Sequence, residues 1–269
     1  MKKIAIFLML LITCLNTNGQ APLKNQAFGS GERLTYNLFF NWKFIWFKVG
    51  TASLSTQNAT YRGKPCLKSY LITQTSKKAD RYFVMRDTLN AYYTSELVPL
   101  YYRKGAKEGK SYKVDEVWFS YPKGNSHVHQ RHVKKDGTVR IKDETHTLEV
   151  YDMLSMVQRA RSFDATNYKK GQRIHFLMTD GGKVEKHTLI YRGKKNFKMD
   201  NTSTTYRCLV FSFVDNEDGK EKEIITFYVT DDLNHLPVRL DLNLKFGTAK
   251  AFLSSATGVR NPQTAKIKE

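Results

Sequence analysis

Side chains able to do chemistry are sparse in this sequence and poorly grouped. "HVHQRH" sets His127, His129 and His132 within six residues, the cluster with the most metal-ligand character. On a strand, His127 and His129 share a face while His132 points the other way, and no nearby cysteine completes a zinc set. Exposed hairpin histidines are expected there, with no metal. "DNEDGKEKE", Asp215 to Glu223, has the acids of a calcium loop, but Gly219 falls at the fifth position where an EF-hand needs it at the sixth. It reads as a solvated hairpin tip. Ser155 follows Asp152 without the Gly-x-Ser-x-Gly elbow of a hydrolase, so the two read as a helix-start pair. Asp231 and Asp232 are adjacent in a turn, where aspartates bond their own backbone; glycoside cleavage needs two carboxyls facing each other across a sugar. No glycine loop suited to phosphate is present. Catalysis requires a nucleophile, base or metal in mutual reach. The expectation is a protein that is not an enzyme, with no catalytic residue, no metal and no cofactor.

Binding has a better candidate. "GERLTYNLFFNWKFIWFKVGTASL", Gly31 to Leu54, carries seven aromatic side chains. Every even position from Leu34 to Trp46 is apolar, the period of a strand with one buried face. The pattern weakens at Lys48 and Gly50 and resumes at Ala52 and Leu54, which predicts two strands with a tight bend near 43–47. Phe40, Trp42, Phe44 and Trp46 are then expected on the core face, and Ile45 and Phe47 on the other beside Phe39. One sheet's core cannot bury aromatics on both faces. The surplus packs under a second layer or lines a cavity or rim, and Trp42, Ile45, Trp46 and Phe47 are the candidate ligand-binding residues. An apolar ligand such as a lipid, or a glycan, is the partner such a surface takes.

The positioning elements are strands. Asp136-Gly137, Asp180-Gly181 and Asp218-Gly219 each separate two strand-like runs, as hairpin turns with positive φ favour. "HTLEVYDMLSMVQRARSF" holds Val150, Met153, Leu154, Val157 and Ala160 at helical spacing, with acids near its start and Arg159 and Arg161 near its end. "TYRGKPCL" (60–67) is echoed by "TYRCL" (205–209), and "AYYTSELVPLYY" (91–102) by "FYVTDDLNHLPVRL" (227–240). The fold class expected is all-β: an antiparallel, strongly curved sheet or a barrel or sandwich from two related β halves, with one amphipathic helix. The halves lie near 31–103 and 171–254, joined by a hairpin and the helix within 104–170. Cys66 and Cys208 begin equivalent strands and are expected as two free, buried thiols.

Residues 1–19 have the form of a signal peptide, with Lys2 and Lys3, an apolar run from Ile4 to Leu15 and a polar end; cleavage is expected before Gln20. The alternative is lipid attachment at Cys14 after "LIT", although Thr13 is bulky for that motif. No later run is apolar enough to span a bilayer as a helix. The remainder is a single β-rich domain, 20–269, exported to the periplasm or the outer-membrane periphery. The net charge is +19, two fewer without Lys2 and Lys3. Outside the cytoplasm this excludes nucleic acid as a natural partner and favours an anionic envelope surface, or simply solubility and guarded strand edges.

The opening stretch, "YDMLSMVQRARSF" with "KKGQRIHFLMTDGGK", and "ITFYVTDDLNHLPVRLDLNLKFGTAKAFL" together resemble the domain of unknown function 3108 family of exported envelope proteins. The resemblance implies an exported, β-rich, non-enzymatic protein and supplies no ligand. Two functions remain: a non-catalytic cell-envelope protein binding an apolar ligand or glycan on a β scaffold, or a structural or protein-interaction subunit with a basic surface and no small ligand.

Overall fold

The computed structural model describes residues 23–42, 45–199, 203–217, 220–244 and 247–268. The leader, Gln20 and Cys14 lie outside these, as do Lys43, Phe44, Asp218 and Gly219. The first run of strands is Arg33–Trp42 (β1), Ile45–Tyr61 (β2), Lys64–Thr75 (β3), Met85–Tyr93 (β4), Pro99–Glu108 (β5), Ser111–Ser120 (β6), Ser126–Val133 (β7) and Val139–His146 (β8). A short strand, Val150–Asp152 (β9), leads into the helix Met153–Ala160 (α1). The second run is Arg173–Asp180 (β10), Lys183–Lys198 (β11), Thr205–Glu217 (β12), Lys220–Thr230 (β13), Pro237–Leu244 (β14) and Gly247–Thr257 (β15), followed by Lys266–Lys268 (β16).

All strands join one sheet in the order β8 to β1, then β15 back to β9, so β1 and β15 form the seam between two meanders. Pairing is antiparallel except where β9 runs parallel to β10. The sheet curls into a nearly closed barrel, and its two ends meet through side chains. Thr179 Oγ1 donates to Gln130 Oε1 at 2.6 Å, and Lys104 pairs with Asp180 at 3.1 Å. The expected helix over Val150 to Ala160 is shorter than its apolar spacing predicts. Val150 belongs to β9, and Asp152 caps α1 by accepting from the Leu154 N–H (3.0 Å) and the Ser155 N–H (2.8 Å).

The two meanders repeat a turn. The Thr94 N–H donates to the Val98 carbonyl at 2.9 Å, and the Thr230 N–H to the Leu236 carbonyl at 2.9 Å. Each threonine hydroxyl accepts the N–H returning from that same residue, at 3.3 and 2.8 Å. Leu97 and His235 take left-handed conformations, and Pro99 and Pro237 open the next strands. Cys66 and Cys208 are both buried free thiols.

A polar network under α1 ties the barrel together at one end. Arg161, 2% exposed, donates to both oxygens of Glu32, 1% exposed, at 2.6 and 2.8 Å. It also donates to Gln158 Oε1 at 3.0 Å and to the Asn234 carbonyl at 3.1 Å. Gln158 Nε2 in turn donates to Thr56 (3.0 Å) and Ser69 (2.8 Å), whose hydroxyl also bonds that of Tyr93. The Arg161 guanidinium covers the Phe28 ring, 5.0 Å from its centroid. Around this network pack Leu34, Leu54, Ala91, Tyr93 and Leu154, all buried in the main core.

Two predictions follow from this closed end. Removing one partner of a buried ion pair strands the other charge, so Arg161→Ala should lose about 3–5 kcal/mol in urea unfolding. Glu32→Leu with Arg161→Met should lose less than Arg161→Ala alone. Burial pushes the Asp152 carboxyl up to about 6, against the bonds from Ser155 and Leu154 that hold it down. Its pKa is raised above the unfolded value, so the folded state binds this proton more tightly and wild-type stability falls as pH rises from about 4 to about 6. Asp152→Asn, which can still cap, should lack this component. Its melting temperature relative to wild type should therefore rise between pH 4 and pH 7, by the equivalent of roughly 2–3 kcal/mol.

Candidate ligand-binding site

The strands of the closed end run to an opposite end where, among the described residues, no α-helix lies. Gln158 bonds Thr56, whereas Ile45 lies eleven residues further along the same strand, or about 35 Å away at strand rise. The helix packs on β3, β4, β9 and β10. It therefore does not supply the cover that Ile45 and Phe47 would need.

Face assignment at the β1–β2 hairpin departs from the even–odd reading. Phe40 pairs with Phe47 and Trp42 with Ile45, while Trp46 pairs with Asn41. Directly opposed residues share a face, so Ile45 and Phe47 join Phe40 on the inner face of the barrel. Trp46 instead lies on the outer face, with the Lys250 ammonium 4.1 Å from its ring centroid. The cause is a bulge. Leu38 pairs with Gly50 but Phe39 with Lys48, leaving Val49 extra, and one added residue inverts every side chain beyond it. Of the four candidates, Ile45 and Phe47 point inward, Trp46 outward, and the side chain of Trp42 lies outside the described residues. Trp46 is thus not core, being 38% exposed.

Cross-strand register extends this inner face far beyond the hairpin. Phe47, Phe40, Ala249, Leu242, Ile225, Phe213 and Leu189 form one unbroken row over seven strands. A second row, one step nearer the helix, runs Leu38, Ala251, Leu240, Phe227 and Phe211. Leu189 and Ala251 are buried, but Phe40, Leu242, Ile225 and Phe213 are only half-buried, and Ile45 and Phe47 are 59% and 49% exposed. Phe213, Phe227 and Phe211 join a cluster that includes Met153, Met156 and Ala160 of α1, so the apolar side chains left short of partners are those nearer the hairpin: Ile45, Phe47, Phe40, Leu242 and Ile225. Beyond Leu189, His187 stacks on Phe213 with centroids 5.0 Å apart, and burial lowers its pKa.

The candidate chemical groups are all committed locally. His127 and His129 both face Asp143, at 3.4 and 2.8 Å, while His132 turns to the opposite face and meets Asp115 at 2.5 Å. Among the described residues no three His, Cys, Asp or Glu side chains are grouped to hold a metal. Asp231 is held by Arg207 (3.0 Å) and Lys194 (2.9 Å); Asp232 accepts from Thr230 and Asn234 within its own turn and from the Ala265 N–H ahead of β16. Asp152 accepts the Ser155 hydroxyl at 2.6 Å and caps the helix, as a start pair does.

Sequence reading missed an aromatic row on the outer face. Tyr92, Tyr101, Trp118 and His129 stand in register on β4 to β7, with successive centroids 5.3–5.9 Å apart. Tyr61 leans over the first two, and Arg62, Trp118, His127 and Asp143 border a shallow recess beside it. Each strand contributes one ring, so no local motif reveals the row. Its rings shield the outer sheet by mutual contact.

Fold and site define a β-barrel-like scaffold, closed at one end, whose inner face towards the other is apolar on β1 and the second meander and carries Thr73, Asp87, Lys104, Asp115 and His132 on the first. The chain belongs to the DUF3108 family, described as protein of unknown function, whose profile matches residues 34–254. No curated protein matches it. It is similar to a crystal structure of a beta-barrel-like protein of the domain of unknown function DUF1849 from Brucella abortus. That match has a TM-score of 0.55 at 10% identity and covers 86% of this chain and 98% of the other. A putative exported protein with a YmcC-like fold from Bacteroides fragilis gives a TM-score of 0.38 at 7% identity, covering 88% and 100% of the two chains. Among the described residues no helix is long and apolar enough to cross a membrane.

Trp118 touches both Tyr101 and His129 in the outer row. Trp118→Ala should cost about 2–4 kcal/mol in denaturant unfolding, from lost area and ring pairing, while leaving any ligand bound to the inner face untouched.

Proposed function

We propose that the chain is a non-catalytic, exported envelope protein that holds an apolar, acyl-chain-like ligand against the inner face at its open end. The observation that carries this reading is the pair of apolar rows from Phe47 to Phe213 and from Leu38 to Phe211. Their far ends, Leu189, Phe213, Phe227 and Phe211, share a cluster with Met153, Met156 and Ala160 of α1, and from there the rows continue the core face beyond it through Ile225, Leu242 and Phe40 to Phe47. Burying a large apolar side chain is worth roughly 1.5–3 kcal/mol, so leaving several half-covered is a costly arrangement unless something else covers them. A ligand with methylene groups matches the wall of β1 and the second meander, which offers Phe, Leu, Ile and Ala, while Thr73, Asp87 and Lys104 on the first meander's inner face suit its polar end. The signal-like leader supports export, and the local commitments of His127, His129, Asp231 and Asp232 support the absence of catalysis.

The test uses protein purified from its native envelope without delipidation, extracted with organic solvent and read by mass spectrometry. A stoichiometric acyl lipid is expected. Phe47→Ser should lower the melting temperature by no more than about 2–4 °C, since the residue is half exposed, yet should strip most of the lipid. A large loss of stability with unchanged lipid would make Phe47 structural and sink the reading at this site.

A further inference from the structure

The open end differs from the closed end in what its turns expose. Strand directions place the β1–β2, β3–β4, β5–β6, β7–β8, β10–β11 and β14–β15 connections on one rim. Of thirteen large apolar side chains exposed among the described residues, eight lie within a few residues of that rim: Ile45 to Phe47, Tyr82, Phe83, Tyr112, Val139 and Leu244. Tyr82 and Phe83 are 90% and 52% exposed in the β3–β4 connection. That connection is pinned to the neighbouring turn, because the Gly109 N–H donates to the Val84 carbonyl at 2.7 Å. The two tips therefore project together. Isolated exposed apolar residues are ordinary, but their collection on one rim is not.

Three of these connections are basic, whereas the β12–β13 hairpin, which ends on the same rim, is acidic about its tip, with Asp215, Glu217, Glu221 and Glu223 against Lys220 and Lys222. Within 76–84, 109–110 and 134–138 stand Lys77, Lys78, Arg81, Lys110, Lys134 and Lys135, against Asp80 and Asp136 alone. Asp80 is already neutralised by Arg86, and Asp136 accepts the Thr138 N–H at 2.9 Å. Apolar tips interleaved with lysines on one plane are the chemistry of a surface that inserts shallowly among acyl chains while its cations meet anionic headgroups.

We propose that the open rim docks on an anionic phospholipid bilayer, tips first, so that the inner apolar rows face the membrane from which a ligand would enter. This deepens the proposed function, on which it rests for the ligand, but docking itself is measured separately.

The test is co-flotation of the mature chain with vesicles of phosphatidylglycerol and phosphatidylcholine in equal parts, compared with phosphatidylcholine alone, at low ionic strength. Binding to the anionic vesicles is expected, weakening at least tenfold for Lys77→Glu with Lys78→Glu, and likewise for Tyr82→Ser with Phe83→Ser. These residues are exposed, so melting temperatures should hold. Brominated lipid should quench Trp42 and Trp46 in a Trp118→Phe chain, and leave Trp118 unquenched when Trp42 and Trp46 are phenylalanine. Failure of wild type to float with anionic vesicles, or equal flotation of both double variants, would overturn the proposal, as would quenching of Trp118. Retention of an extractable lipid by a chain that fails to float would overturn docking alone; flotation of a lipid-free chain would leave docking standing and overturn the ligand.

Discussion

The ion pair between Arg161 and Glu32 is the contact on which the rest of the architecture depends. Arg161 follows the only α-helix among the described residues, and Glu32 immediately precedes β1, the strand at the seam between the two meanders. The pair therefore fastens the helix to the middle of the sheet. Asn234, from the turn entering β14, accepts from the same guanidinium, and Gln158 extends the network to β2, β3 and β4. A charge so deeply buried is tolerated only with several partners, and both terminal nitrogens of Arg161 have them although its Nε has none. Here they come from both meanders at once, so the network sets how the two curl together.

Once that end is sealed, the other end follows from length. Strands such as β2 and β11 run 17 and 16 residues, whereas the helix has eight. One short helix cannot fill a barrel of that height. The bulge at Val49 adds to the imbalance by turning Ile45 and Phe47 inward, where they stay 59% and 49% exposed. A closed end fastened by charge and an open end with apolar rows short of cover on β1 and the second meander are thus two results of the same disproportion, and the proposed ligand and bilayer contacts both belong to the open one.

Much of this was legible in the residues. Alternation from Leu34 to Phe40, the Asp136-Gly137 and Asp180-Gly181 hairpins, the paired Thr-to-Pro turns and the helix-start pair Asp152 and Ser155 all report local geometry, which short spacing encodes. The three quoted family-like stretches turned out to supply Glu32, Arg161 and Asn234, which meet in space; nothing in their spacing announces that. Faces beyond Val49 were misread because a bulge has no strong local signature, and one extra residue inverts parity. The outer aromatic row and the long inner rows are products of register between strands far apart in sequence, so only the assembled sheet displays them.

The central claim is that the inner rows at the open end hold an acyl chain. Its most direct measurement is anomalous diffraction from crystals grown with a fatty acid brominated near its terminal methyl. The account predicts bromine density inside the barrel, in contact with Phe40 or Phe47 on one side and Phe213 or Phe227 on the other. Bromine bound only on the outer face, beside Trp46 or the Tyr92–Trp118 row, or an inner face closed over by its own side chains with no bromine within it, would contradict the account.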